Sequence, residues 1–257
     1  MHQQIITKPL TDLTNYAAAF ILAVAHQAVA ERGSFTMALA GGQSPRQLYT
    51  LLGQGVALNE LQRWQLPVPA HAIAQDRLHL PQATWLFQSD ERWVPSTHPD
   101  SNEHMIRETL LVSSPLQYNH FFAMNTSAAT PQDAAFQYEQ CLRLFFSTQK
   151  NLPSFDMMLL GMGSDGHTAS LFPDDSEALH ERTAWVIARN VLHGNPSGWR
   201  LTLTLPLLCN ARKVLFFVPG HTKFEIVQRI VAGKEPMLPA AMVQVKNGSL
   251  YWFTSNE

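Results

Sequence analysis

Thiols are scarce in this chain: its two cysteines, Cys141 and Cys209, stand in apolar segments with no metal-ligand spacing between them. That excludes a disulfide-stapled fold and a thiolate metal site, and predicts two buried free thiols in a reducing compartment. Charge is sparse as well, with 15% charged residues and a formal net charge of −2. Such a balance argues against a general nucleic-acid binder, whose phosphate contacts need a basic surface. It leaves room for a small phosphorylated ligand, which requires only a local cluster of cations and backbone N–H groups. No apolar run approaches the roughly 18 to 20 residues that span a bilayer. The start, Met1-His2-Gln3-Gln4-Ile5-Ile6, lacks the basic end, apolar core and small-residue cleavage site of a secretory leader. A soluble, cytoplasmic chain is expected, with no nucleic-acid or membrane partner. Internal repeats, low-complexity tracts, a Gly-x-Ser-x-Gly nucleophile elbow and a complete dinucleotide fingerprint are all absent.

What is present is a globular composition, 46% hydrophobic over 257 residues, enough to bury a substantial core. Leu13, Tyr16, Ala17, Phe20, Ile21, Val24 and Ala28 recur at helical spacing, and Gly33 follows as a stop signal. Residues 35–40 then read as a buried strand ending at Gly41-Gly42. Ser44 and Pro45 supply an expected N-cap and first helical residue for a helix carrying Leu48, Leu51 and Leu52. Residues 54–82, broken by Pro67, Pro69 and Pro81, support no assignment. Further strands are predicted over 83–88, 119–123, 155–160, 184–188, 200–205, 214–218 and 249–254. Helices are predicted after Asp100 or Ser101, after Pro131, and through Phe224, Val227, Ile230 and Val231. Strands alternate with helices almost throughout, so the chain is expected to form one α/β domain over 1–257 with a mainly parallel sheet.

The polar residues gather at strand ends. Gly41-Gly42-x-Ser44, Asp90-Glu91-Arg92, Asp165-Gly166-His167 and Lys223 each follow a predicted buried strand. If those strands are parallel, the loops emerge on one sheet edge, where open α/β sheets bind ligands. His167 is the natural proton carrier near neutral pH, with Asp165 or Asp90 to orient it. The Gly-Gly turn, Ser44, Lys223 and the guanidiniums of Arg92 or Arg200 suit a phosphate. Asp90, Asp165 and His167 could also serve a metal ion, but paired histidines or thiolates at the usual spacing are missing. Of the eleven histidines, His26 and His180 read as packing or surface residues.

Taken together, Gly41-Gly42-Gln43-Ser44-Pro45, Asp90-Glu91-Arg92-Trp93-Val94-Pro95 with Ser101-Asn102, the block Leu160 to Pro173, Arg200-Leu201-Thr202-Leu203-Thr204 and Gly220-x-x-Lys223 resemble the 6-phosphogluconolactonases. The resemblance implies a Rossmann-like fold with helices on both sheet faces. It also implies hydrolysis of 6-phospho-D-glucono-1,5-lactone in the pentose phosphate pathway, without metal or organic cofactor. From composition, a monomer is expected. On that reading His167 and Asp165 are catalytic, and Gly41, Gly42, Ser44, Asp90, Arg92, Gly163, Arg200 and Lys223 bind substrate. Arg92 or N–H groups of the Gly161–Gly166 loop would stabilise the oxyanion. The related glucosamine-6-phosphate deaminases are the alternative. They typically read Asp-Glu-Tyr at positions 90–92 and Asp-Gly-His-Ile-Ala-Phe-Asn-Glu-Pro from position 165, and this chain does not. A non-catalytic sugar-phosphate-binding module is a further alternative. Asn195-Pro196-Ser197-Gly198-Trp199 departs from the family's proline-rich run, which bears on where Arg200 points.

Overall fold

The computed structural model describes residues 2–70, 76–149, 152–192, 194 and 196–257. Its strands are β1 (His2–Thr7), β2 (Phe35–Leu39), β3 (Val56–Ala57), β4 (Arg77–Leu78), β5 (Thr84–Gln88), β6 (Asp90–Arg92), β7 (Phe121–Phe122), β8 (Met157–Leu160), β9 (Val186–Val191), β10 (Gly198–Leu203), β11 (Lys213–Val218) and β12 (Ser249–Thr254). The helices are α1 (Leu10–Arg32), α2 (Arg46–Gln54), α3 (Leu58–Arg63), α4 (Asn102–Thr109), α5 (Pro131–Phe145), α6 (Ser176–Leu179), α7 (Leu205–Cys209), α8 (His221–Val231) and α9 (Pro239–Met242).

Seven strands form one sheet in the order β1-β12-β11-β8-β2-β5-β7, and every neighbouring pair is parallel. From β2 the chain builds outward through β5 to β7, then returns to β8 on the other side of β2 and builds outward through β11 and β12. β2 and β8 thus flank the point where strand order reverses, the position at which such sheets open a crevice beyond their carboxyl ends.

Side chains alternate across this sheet with the period of two that a pleated strand demands. Met157, Leu159, Leu215, Phe217, Tyr251 and Phe253 join one core, which α1, α2, α3 and α4 complete. Met158, Leu160, Val214, Phe216, Leu250 and Trp252 join the other, against α5, α7, α8 and the strands β9 and β10. Both faces of the sheet are therefore covered, as expected from its nearly continuous apolar strands. α1 is long and apolar enough by composition to cross a bilayer, which the sequence reading did not anticipate. In the fold eleven of its residues are buried, and it ends at Gly33 in the left-handed region (φ 81°), whose N–H donates to the Val29 carbonyl.

Several expectations need correction. Residues 2–7, which received no assignment from the sequence, form β1, an edge strand whose pairing partner β12 lies at the far end of the chain. Asp90–Arg92 is not a loop: the chain bends at Ser89, and β6 joins an antiparallel sheet in the order β6-β10-β9. Gly198 and Trp199 likewise open β10 rather than extending a loop, while His193 and Asn195 lie outside the described residues. Helix α2 starts at Arg46 with Pro45 at its N-cap, and Ser44 makes no capping bond. Instead the Pro45 carbonyl closes the first turn by accepting from Tyr49 N–H. Ser101 is the N-cap of α4, accepting from His104 N–H. Both cysteines are half-buried rather than buried, and desolvation pushes both thiols up.

Candidate active site

The carboxyl ends of β2, β5, β8 and β11 are adjacent in the sheet, so the segments leaving them meet. They enclose a cleft of about 210 Å³ lined by Gly41, Gly42, Ser44, Asp90, Arg92, Gly163, His167 and Lys223, with Ser89 and Ala169 among its other walls. Asp165 stands directly behind His167. Arg200 does not line the cleft: it is 4% exposed on β10, opposite Arg92 in register, and donates to the Pro196 carbonyl at 2.5 Å. His221 is exposed at the start of α8, His26 bonds the His79 carbonyl, and His180 ends α6 at the surface.

The His167 imidazole is held on two sides. Its Nδ1 lies 2.6 Å from Asp165 Oδ1, and its ring stacks on Phe172 with centroids 4.4 Å apart. The backbone N–H of His167 also donates to Asp165 Oδ1 at 3.1 Å. Partial burial works to raise the Asp165 carboxyl, but these two hydrogen bonds outweigh it and hold the group below its ordinary value. A carboxylate that stays ionised requires a proton on Nδ1, which leaves Nε2 as the basic nitrogen.

The loop beneath them is closed by its own bonds. Gly163 N–H donates to the His167 carbonyl, Gly166 N–H to the Gly163 carbonyl, and Thr168 Oγ1 to the Gly161 carbonyl. A Cβ on Gly163 would fall 2.2 Å from His167 Nδ1 and 2.5 Å from Asp165 Oδ1, so only glycine lets the acid–imidazole pair close over the backbone. Two N–H groups expected to be free for an oxyanion, those of Gly163 and Gly166, are already spent.

Across the cleft, Asp90 is 7% exposed and is gripped by neutral donors: Ser170 Oγ at 2.8 Å, Ser89 Oγ at 3.3 Å and Asn102 Nδ2 at 3.5 Å. Ser170 follows Ala169, whose φ of 47° is unusual for a residue with a side chain. Glu91 has a different role from its neighbours. It points away from the cleft and accepts from Arg92 N, Asn102 N, Glu103 N, Gln88 Nε2 and Ser101 Oγ, thereby holding the N-terminus of α4. Burial pushes its carboxyl up, against the pull of those donors.

The cations at the cleft form no direct ion pairs: among the described residues, none of the ion pairs involves Arg92, Arg200 or Lys223. Arg92 donates to the Asp100 carbonyl at 2.7 Å, and its buried Nε has no partner among those residues. Desolvation lowers Arg200, and the facing Arg92 adds to the effect. Burial lowers Lys223 too, with Asp165 pulling it partly back. Lys223 lies in the first turn of α8, a turn without an acidic residue, where the helix dipole adds to its ammonium. Two opposed guanidiniums and a lysine at a positive helix end form a field that an anion would relieve. Among the described residues no group of three His, Cys, Asp or Glu side chains is placed to hold a metal ion.

Known proteins share this chain's sequence and its fold. A 6-phosphogluconolactonase of Synechocystis is 36% identical over 90% of this chain and 86% of its own length, and one of Nostoc is 34% identical over the same shares. Among solved structures, the 6-phosphogluconolactonase of Trypanosoma cruzi superposes with a TM-score of 0.78 at 26% identity, covering 99% of this chain and 96% of that one. That of Thermotoga maritima gives 0.77 at 25% identity, over 98% and 99%. The family described as glucosamine-6-phosphate isomerases/6-phosphogluconolactonase matches residues 9–252, and the chain belongs to that family.

Proposed function

We propose that the protein hydrolyses 6-phospho-D-glucono-1,5-lactone to 6-phospho-D-gluconate. The observation that carries this reading is the His167–Asp165 pair at 2.6 Å in a cleft lined by Arg92 and Lys223, which form no ion pair among the described residues. The pair supplies a base and the cations a place for a sugar phosphate; the likeness to 6-phosphogluconolactonases at 34% and 36% identity supports this reaction over the isomerases of the same family.

His167 Nε2 takes a proton from water as the water oxygen attacks the lactone carbonyl carbon. Asp165 holds Nδ1–H and stabilises the imidazolium that forms. The tetrahedral oxyanion is met by the guanidinium of Arg92, which lines the cleft. Collapse breaks the bond to the ring oxygen, and the imidazolium returns its proton there, giving the open-chain acid. Ser44 and Lys223 take the phosphate, with Arg200 reinforcing the field from behind Arg92, so the remote group positions the carbonyl.

The test generates the lactone in situ by oxidising glucose 6-phosphate and compares its loss with and without enzyme. His167→Ala is expected to lower kcat by about 10²–10⁴-fold while 6-phosphogluconate binding by calorimetry stays within roughly threefold. Full activity in that variant removes the base assignment. Ammonia release from glucosamine 6-phosphate by the wild type would instead place the chain with the isomerases of its family.

A further inference from the structure

Asn102 belongs neither to the acid–imidazole pair nor to the walls of the cleft, yet its side chain joins two of those walls. It is 1% exposed at the first position of α4. Its Oδ1 accepts from Gly42 N–H at 3.3 Å, and its Nδ2 donates to the Asp90 carbonyl at 2.9 Å and to Asp90 Oδ1 at 3.5 Å. The amide has one workable orientation, because the reverse would set its oxygen against two oxygens of Asp90 and its NH₂ against the Gly42 N–H. The fit is tight on the turn side as well. A Cβ on Gly41 would lie 2.1 Å from Asn102 Nδ2, so the turn is glycine where the amide presses on it. Glu91, by accepting from Asn102 N–H at 2.7 Å, anchors the backbone from which this side chain reaches.

We propose that Asn102 is a positioning residue that sets the spacing between the Gly41–Gly42 turn and the Asp90 carboxylate, and so governs substrate grip rather than proton transfer. The inference rests on the lactonase reading for its substrate. The Gly42 N–H, which looked free for a phosphate, is spent on this link, and the turn therefore contributes shape more than donors. His167 and Asp165 ride on the loop after β8, where Asp165 holds the imidazole directly and the link to Asp90 runs through Ser170, three residues past the histidine, so the base is expected to survive the loss of the amide.

Two variants test this. Asn102→Ala removes the link and is expected to raise KM roughly tenfold, the scale of one net hydrogen bond, with kcat nearly unchanged. Asn102→Asp keeps the acceptor toward Gly42 but sets a second carboxylate against Asp90. Its KM deficit relative to wild type at the same pH is expected to exceed that of the alanine variant near neutrality. It should then shrink as the pH falls and the new carboxyl gains a proton it can donate. The charged groups around that position are Asp90, Glu91 and Arg92 on β6, Arg200 on β10, Asp100 and Glu103 in the same segment, and Asp165, His167 and Lys223 across the cleft. All are shared with wild type, so a pH dependence of the ratio comes from the new carboxyl and its coupling to them. Unchanged KM in both variants, a loss confined to kcat, or a pH-independent deficit in Asn102→Asp overturns the proposal. If Asn102→Ala fails to fold in a thermal melt, the pH ratio of Asn102→Asp decides alone. Wild type without lactone turnover would sink the functional reading instead, and calorimetric binding of 6-phosphogluconate would then read the same comparison.

Discussion

His167 owes its readiness to neighbours on its own loop. Asp165 two residues earlier fixes the tautomer, Phe172 five residues later carries the ring, and Gly163 leaves space for both. Lys223 illustrates how burial at the same site can be read out. Desolvation holds it below the ordinary lysine value, and a bound phosphate favours its charged form. Affinity for 6-phosphogluconate should therefore be flat at pH values below that lowered pKa and decline as the pH rises through it, earlier than an exposed lysine would allow. Binding in that window takes up protons. Calorimetry in buffers of different ionisation enthalpy measures the uptake, and Lys223→Met should abolish both the slope and the proton uptake attached to it.

At the level of elements, β8 carries chemistry at one end and cohesion at the other. Asp156, which precedes it, is buried and accepts from Thr36 N, Thr36 Oγ1 and Arg32 Nε, each at 2.9 Å, with Arg212 Nε at 3.6 Å. This ties the start of β8 to β2 at the edge opposite the cleft. Asp156→Ala leaves a buried N–H and two guanidiniums without their acceptor and should cost about 3 kcal/mol. For a chain of this size that corresponds to a fall in Tm of roughly 6–12 °C. The kcat/KM of the folded enzyme should be unchanged, since nothing at that edge touches the cleft. A melt together with a room-temperature assay checks both halves. Element-level reasoning from sequence also had a clear limit at Asp90–Arg92. Three charged residues after a strand look like a loop, because their pairing partner, β10, lies more than a hundred residues downstream.

For the molecule as a whole, the sheet is closed at one side by the first residues of the chain. β1 pairs along all of β12, Lys8 N–H continues the ladder to the Thr254 carbonyl, and Lys8 Nζ sits 4.2 Å above the Trp64 ring. β12 is apolar on both faces, so deleting residues 2–7 would bare an edge able to pair with other chains. The shortened protein should melt lower and scatter more light as its concentration rises. Its kcat/KM should stay within roughly twofold at low concentration, the pair β12 and β11 standing between β1 and the catalytic strand.

Amino-acid order alone determined the alternation of strands and helices, the gathering of glycines, acids and cations at strand ends, and the standing of His167. These are written in short stretches: a period of two, a period of 3.6 and a glycine turn each span fewer than about twenty residues. Ser170 bonding Asp90 across 80 positions, Asn102 tying Gly42 to Asp90, and Arg200 facing Arg92 instead of the cleft were decided only in three dimensions. Glu91 shows the difference most plainly. In sequence it is the middle of three charges beside a site, and in the fold it turns inward to cap a helix. Which way a strand's side chains face depends on a bend at Ser89 and on partners that local pattern does not record.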